Sequence, residues 1–453
     1  MPPLPIMKID ASFAEELINK ALKSGADQAE VYMRSSKNLS VEVKDCSVDA
    51  LKSSVGFGYS LRVIRAGRLG FSYATAEQGG DSVVSNAVEA AKYADEDRFL
   101  GLPEPAGPAA DVEIFDPRIR DLNEDEAINK VMDMERAVYA EDRRISRIRK
   151  VSGSFTVSET IIMNSRSINV RYESTACSAQ ATAIAEQGDE SRIGWEQMSG
   201  RFLEDVIFAE VGRNAATRAV RLLGSQKMSN LKASVILDNS TAGDFLGILA
   251  SALSSEAVQK GRSLFAGRLG SRVISPRINI IDSGLLGRRL GSAPIDGEGT
   301  PSREKMMVQE GVLRTYLYNT YTAKKEGRES TGNAVRGGFG SLPSVGITNM
   351  FLSPAREAEA VPVNELFRAA GSGLYVVDVM GLHTANPVSG DFSVGVAGIL
   401  IENGEEKYPV SEAVISGNIL DLFDKIEGVG DDLRFYGNVA APSLLISGVD
   451  ISA

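Results

Sequence analysis

Apolar residues recur with a helical period at the start of the chain. Phe13, Leu17, Ile18, Ala21 and Leu22 share one face of a helix expected over about 12 to 24, and Gly25 ends it. The period then shortens to two. Leu39, Val41 and Val43 alternate with polar residues, and so do Tyr59, Leu61 and Val63. Ala66-Gly67 falls where a hairpin turn is needed before Leu69 and Phe71, and a Val- and Ala-rich helix is expected over about 81 to 94. A cluster of Pro103, Pro105, Pro108 and Pro117 interrupts these patterns and reads as a linker.

Beyond the linker Asn123 can cap a helix, with Glu126 as the second half of a capping box. Ala127, Val131, Met134 and Val138 form its stripe. From about 145 to 195 the pattern is β-like, as in Ile168, Val170 and Tyr172. A long helix is expected over about 201 to 223, with Leu203, Val206, Ile207 and Val211 facing inward. The strand Val235-Ile236-Leu237 then leads into a helix capped by Ser240 or Thr241, burying Leu246, Leu249 and Leu253. Strand and turn signals dominate the remainder. Glu310-Gly311 and Asn403-Gly404 mark hairpins, Asn-Gly being the strongest short signal of this kind. The expected fold class is α+β: N-terminal α/β domains with antiparallel strands, then a C-terminal mainly antiparallel β domain. The expected segments are residues 1–100, a Pro-rich linker at 101–119, a central domain at 120–228 and a β-rich domain at 229–453.

Composition narrows the chemistry. With 43% hydrophobic and 24% charged residues, the 453-residue chain can bury large cores without staples. Cys46 and Cys177 are too far apart for a Cys-x-x-Cys signature. The first residues lack a basic segment followed by an apolar stretch, so no signal peptide is expected. The weakly polar run from Val235 to Leu253 is broken by Asp238, Asn239 and Asp244, so no membrane span is expected and a cytoplasmic location is. The net charge of −11 disfavours nucleic acid as a partner. Arg213, Arg218 and Arg221 on one expected helix read as a solvated face.

A catalytic zinc takes three protein ligands, mostly histidine, and this chain has one histidine, His383. A Ser-His-Asp triad could use it with Ser389 and Asp391, but no Gly-x-Ser-x-Gly elbow accompanies them. The glycine-rich run Gly337-Gly338-Phe339-Gly340 reads as a flexible turn or a place of close backbone approach. The stretch from Gly381 to Phe392 gathers small, polar and turn-forming residues ahead of an expected strand, where binding groups often sit.

At this stretch the chain resembles the C-terminal domain of the TldD/TldE (PmbA) peptidase family. The likeness extends to Gly25-Ala26-Asp27-Gln28-Ala29-Glu30, to the hairpin from Gly58 to Thr75, and to Asp296-Gly297-Glu298-Gly299-Thr300-Pro301. Val308 to Leu317 and Pro409 to Asn418 continue it. In that family the TldD kind of subunit carries His-Glu-x-x-x-His on a helix plus a downstream cysteine. The corresponding helix here, Ala242 to Leu253, has neither histidine nor glutamate, which resembles the TldE kind. The resemblance implies a non-catalytic subunit of a cytoplasmic metallopeptidase that binds no cofactor itself. Zinc is expected in a TldD-like partner, forming a heterodimer whose chamber receives unfolded peptides. His383, Asn386, Ser389 and Asp391 are the expected chamber residues. The alternative is a homodimeric peptide-binding or scaffold protein. Some members carry a DNA gyrase modulator label, to which the acidic charge lends no support through DNA contact.

Overall fold

The computed structural model describes residues 9–452. The first eight residues, on which the expectation of no signal peptide rests, lie outside that range. Helix α1 (Ala11–Lys23) begins at Asp10, whose carboxylate accepts the Ser12 N–H. It is followed by strands β1 (Gln28–Lys44), β2 (Ser47–Arg65) and β3 (Arg68–Ala74), helix α2 (Gly80–Tyr93), the short helix α3 (Pro117–Arg120) and helix α4 (Glu124–Glu141). Strands β4 (Ile145–Asn164), β5 (Asn169–Gln187) and β6 (Glu190–Gly200), then helix α5 (Phe208–Arg221), complete the N-terminal half.

All six strands join one antiparallel sheet in the order β3-β2-β1-β4-β5-β6. Strand β1 pairs with β4 from Glu30↔Asn164 to Val43↔Val151, so the Pro-rich linker separates the helices but not the sheet, and each core takes residues from both sides of it. Alternation along β1 explains this. Val31 and Met33 point to one core, with α1 and α2, while Leu39, Val41 and Val43 on the same face point to a second core, with α4 and α5. The opposite face carries Glu30 and Tyr32, and it packs against the C-terminal domain through Ile295.

The Ala66-Gly67 turn forms as expected, with φ of 47° and 70°, and Glu310-Gly311 and Asn403-Gly404 do likewise. Asn123 caps α4 by accepting the Glu126 N–H. The long helix expected over 201 to 223 is shorter. Leu203–Asp205 is a single 3-10 turn and α5 starts only at Phe208, leaving Ile207 51% exposed. Tertiary bonds claim the missing turns: Asp116 accepts the Leu203 N–H at 2.9 Å, and the Arg201 guanidinium holds the Ser292 carbonyl at 3.0 Å.

In the C-terminal half, β7 (Leu231–Leu237) leads into α6 (Asn239–Ala252) and the short α7 (Ser255–Gln259). Strands β8 (Ile278–Ser283), β9 (Glu304–Gln309) and β10 (Val312–Leu313), then α8 (Thr320–Lys325), come next. The minor strands β11 (Ala334–Val335), β12 (Ser344–Val345), β13 (Met350–Pro354) and β14 (Ala360–Val361) precede α9 (Val363–Ala370). Strands β15 (Gly373–Met380), β16 (Asp391–Glu402) and β17 (Glu405–Asn418), helix α10 (Ile419–Asp424), and strands β18 (Ile426–Gly430), β19 (Arg434–Tyr436), β20 (Val439–Ala441) and β21 (Leu444–Ser452) finish the chain.

Strand β7 pairs with both β15 and β21, and β21 also pairs with β17. The sheet therefore closes as β7-β15-β16-β17-β21 around the largest core, which α6 enters with Phe245, Leu246 and Leu249. A second sheet, β10-β9-β8-β13-β20-β19, lies against it. Most pairings are antiparallel; β7 with β15, β13 with β20 and β14 with β18 are parallel. The fold is α+β as expected. The cap of α6 is Asp238 rather than Ser240 or Thr241: its carboxylate accepts the Thr241 N–H at 2.8 Å, and its negative charge suits a helix N-terminus.

Candidate functional site

Helix α6 sits at the junction of both halves, and its two faces differ. Ala242, Phe245, Leu246 and Leu249 enter the core. The other face carries Asp244 and Ser251, both exposed, with Gly243 and Gly247 beside them. A Cβ on Gly243 or Gly247 would meet nothing within 4 Å, so open space lies above this face. Asp244 is reached by water, yet the surrounding walls withdraw enough of it to push the carboxyl up to about 6, with the charges of Asp238 and Asp378 adding repulsion.

These carboxylates do not make a metal site. Asp238 is committed to the helix cap and to Arg218 at 3.1 Å, and Asp378 accepts the Trp195 indole N–H at 3.3 Å. Among the described residues no group of three or more His, Cys, Asp or Glu side chains converges. A catalytic zinc needs three such ligands, so this donor set does not fit one.

A charged cluster anchors the start of α6 to the N-terminal sheet. Arg218 of α5 reaches Asp238, the Ser240 hydroxyl at 3.3 Å and the Val377 carbonyl at 3.2 Å. Arg434 lies 3.2 Å from Glu196 of β6, and Trp195 and Tyr436 pack edge to face beside them at 6.1 Å. Burial pushes the Glu196 and Asp238 carboxyls up, against the pull of Arg434 and Arg218. A cavity of about 210 Å³ opens here. Arg213 and Arg221 remain on the α5 surface, but Arg218 leaves the solvated face that its spacing suggested, because the turn of the helix at this point meets the C-terminal domain.

The loop from Gly381 to Asp391 connects β15 to β16 and is joined to α6 through Phe392, whose ring meets Phe245 edge to face at 5.2 Å. Three of its four expected site residues form one turn. The Asn386 side chain accepts the Val388 N–H, Ser389 Oγ donates to Asp391 Oδ2 at 2.8 Å, and Asn418 Nδ2 donates to Asp391 Oδ1 at 3.0 Å. His383 stands apart. It is exposed and makes no hydrogen bond to Ser389, Asp391 or any other described residue, so the triad geometry is absent.

One buried network was not singled out by sequence reasoning. Arg62 on β2 forms a two-pronged pair with Glu30 on β1, at 3.1 and 2.7 Å, and reaches Glu298 at 2.9 Å. Arg336 also meets Glu30. Burial disfavours the Glu298 carboxylate, but Arg62 and the Thr320 N–H hold it low. Asp296 accepts backbone N–H groups from Glu298, Thr300 and Ala334, while burial and the Glu298 charge push it up. The available signal was a glutamate and an arginine at alternate-face positions of otherwise apolar strands, together with an acidic pair between glycines.

Family models match the chain in three consecutive pieces: PmbA/TldA metallopeptidase domain 1 over residues 29–91, the central domain over 117–223 and the C-terminal domain over 230–453. Metalloprotease PmbA of Escherichia coli O157:H7 is 28% identical, covering 97% of this chain and 96% of its own. A metalloprotease PmbA homologue of Haemophilus influenzae is 31% identical over 97% of this chain and 95% of its own. A Thermotoga maritima crystal structure labelled a candidate modulator of a DNA gyrase superposes with a TM-score of 0.90 at 28% identity, covering 97% of this chain and 99% of that one. The crystal structure of TldE from Thermococcus kodakarensis shares the fold, with a TM-score of 0.89 at 20% identity, covering 97% of this chain and 100% of that one.

Proposed function

The chain belongs to the PmbA/TldD metallopeptidase family, and on that premise we propose that it is the non-catalytic, TldE/PmbA-like subunit of a cytoplasmic zinc metallopeptidase. The partner is a TldD-like subunit that carries the metal, and the pair encloses a chamber in which unfolded peptides are degraded or matured. One observation carries this reading. The helix that corresponds to the metal-bearing one, α6, turns Gly243, Asp244, Gly247 and Ser251 toward open space, where a zinc peptidase needs histidines and a glutamate base. In this reading the α6 face and the loop of His383, Asn386, Ser389 and Asp391 are parts of the chamber wall. Extended peptides are bound there through backbone hydrogen bonds, which tolerate many sequences.

The test is reconstitution. The chain is purified alone and together with a TldD-like subunit, and each sample receives zinc and an unstructured peptide. Cleavage only by the co-purified pair is the expected result. Cleavage by this chain alone, in fractions free of other peptidases, would overturn the reading. A stable homodimer that binds peptide and ignores the TldD-like subunit would replace it with the scaffold alternative.

A further inference from the structure

A cleft of about 450 Å³ opens between the N-terminal sheet and the α7–α8 corner of the C-terminal domain. Ile64, Leu69, Leu342 and Pro343 give it an apolar lining among polar and charged groups. The Arg62–Glu298 pair lines it as well and is internally neutralised.

Its edge is bipolar. The Tyr321 hydroxyl donates to Asp97 at 2.7 Å, and the Lys325 ammonium lies 5.3 Å from the centre of the same ring. An acid at the hydroxyl and a base over the ring are thereby held by a single tyrosine. Asp95, two residues before Asp97, lines the cleft as well. Neither Asp95 nor Lys325 has an ion pair or a side-chain hydrogen bond among the described residues; Lys325 rests on the Tyr321 ring alone, and both charges can still pair with a ligand.

Such a cleft selects by elimination. Glu256 and Lys260, which also line the cleft, pair with each other at 2.6 Å, so a phosphate or nucleotide would meet Lys325 but be repelled by Asp95 and Asp97. A purely apolar ligand would leave both charges unanswered. A molecule with an ammonium at one end, a carboxylate at the other and apolar groups between satisfies all three features. The volume lies in the range that small ligands occupy.

We propose that this cleft binds a short zwitterionic peptide, about two or three residues long, with its ammonium at Asp95 and Asp97, its carboxylate at Lys325 and apolar side chains against Ile64, Leu69 and Leu342. The charge pattern stands by itself; that the zwitterion is a peptide rests on the peptidase reading above. The site is on this chain and needs no metal-bearing partner.

Isothermal titration of the full chain alone with leucyl-leucine tests it. Saturable binding at one equivalent is expected. N-acetylation of the ligand, its C-terminal amidation, Asp95→Asn and Lys325→Gln should each weaken binding about tenfold, the cost of a lost charge-assisted contact. Asp95 and Lys325 are exposed and make no ion pair or side-chain hydrogen bond among the described residues, so both variants fold, as a thermal melt will show. Leu342→Trp should fill the cleft and abolish binding. No binding at millimolar ligand, or binding indifferent to blocked ends and to both charge variants, would overturn the proposal. Loss of the cleft ligand with intact cleavage by the reconstituted pair would sink this inference alone; binding without any partnered cleavage would sink the peptidase reading alone.

Discussion

At the scale of single residues, chemistry follows burial. Burial pushes the Cys177 thiol up to about 12, whereas Cys46 is exposed at the β1–β2 turn. A thiol reagent should therefore modify one cysteine of the native protein, and the Cys46→Ser variant should react only after unfolding. Asp244 gives a pH dependence. Its folded value of about 6 exceeds the ordinary 3.8, so the folded chain holds the proton more tightly and stability falls as pH rises through that window. Asp244→Asn is expected to raise the melting temperature at pH 7 and leave it unchanged below pH 4, measured by calorimetry across that range. The exposed His383 side chain makes no hydrogen bond or ion pair among the described residues, so His383→Ala should leave the melting temperature within experimental error and change the activity of a reconstituted complex only modestly. The residue types were legible in the sequence; which of them were walled in was not, since a single position carries no information about its neighbours across the fold.

At the scale of elements, periodicity predicted the longer helices α1, α2, α4 and α6 and failed where tertiary bonds intervened. The first helix, the Ala66-Gly67 hairpin and the Asn403-Gly404 hairpin depend on local spacing and turn residues, and they appear where the pattern puts them. The stretch before α5 has helical spacing but surrenders its backbone to Asp116 and its Arg201 side chain to carbonyls of the C-terminal half. Helix α6 shows the same competition at its cap. Asp238 serves the helix and Arg218 together, so Asp238→Ala removes a cap and takes from Arg218 its nearer carboxylate. A loss of about 2 kcal/mol or more is expected in urea unfolding, beyond the ~1 kcal/mol of an ordinary cap.

At the scale of the whole molecule, Arg62, Glu30, Glu298 and Arg336 tie the N-terminal sheet to the C-terminal loops. Removing one member leaves buried charges without a counterpart. Glu30→Gln should cost about 3 kcal/mol and separate the unfolding of the two halves in calorimetry. A Glu30→Gln protein that still melts in one unshifted transition would show that packing alone couples them.

The sequence by itself determined the α+β class, several helices, the three hairpin turns and the lack of histidines for a zinc site, because these follow from local spacing and residue inventory. Only the tertiary structure decided that one sheet crosses the Pro-rich linker, that β7, β15, β16, β17 and β21 close on themselves, and that Arg62 meets Glu298. Those outcomes depend on contacts between residues far apart in the chain, such as Arg62 and Glu298. Local alternation can say which face a side chain takes, but not what will cover that face.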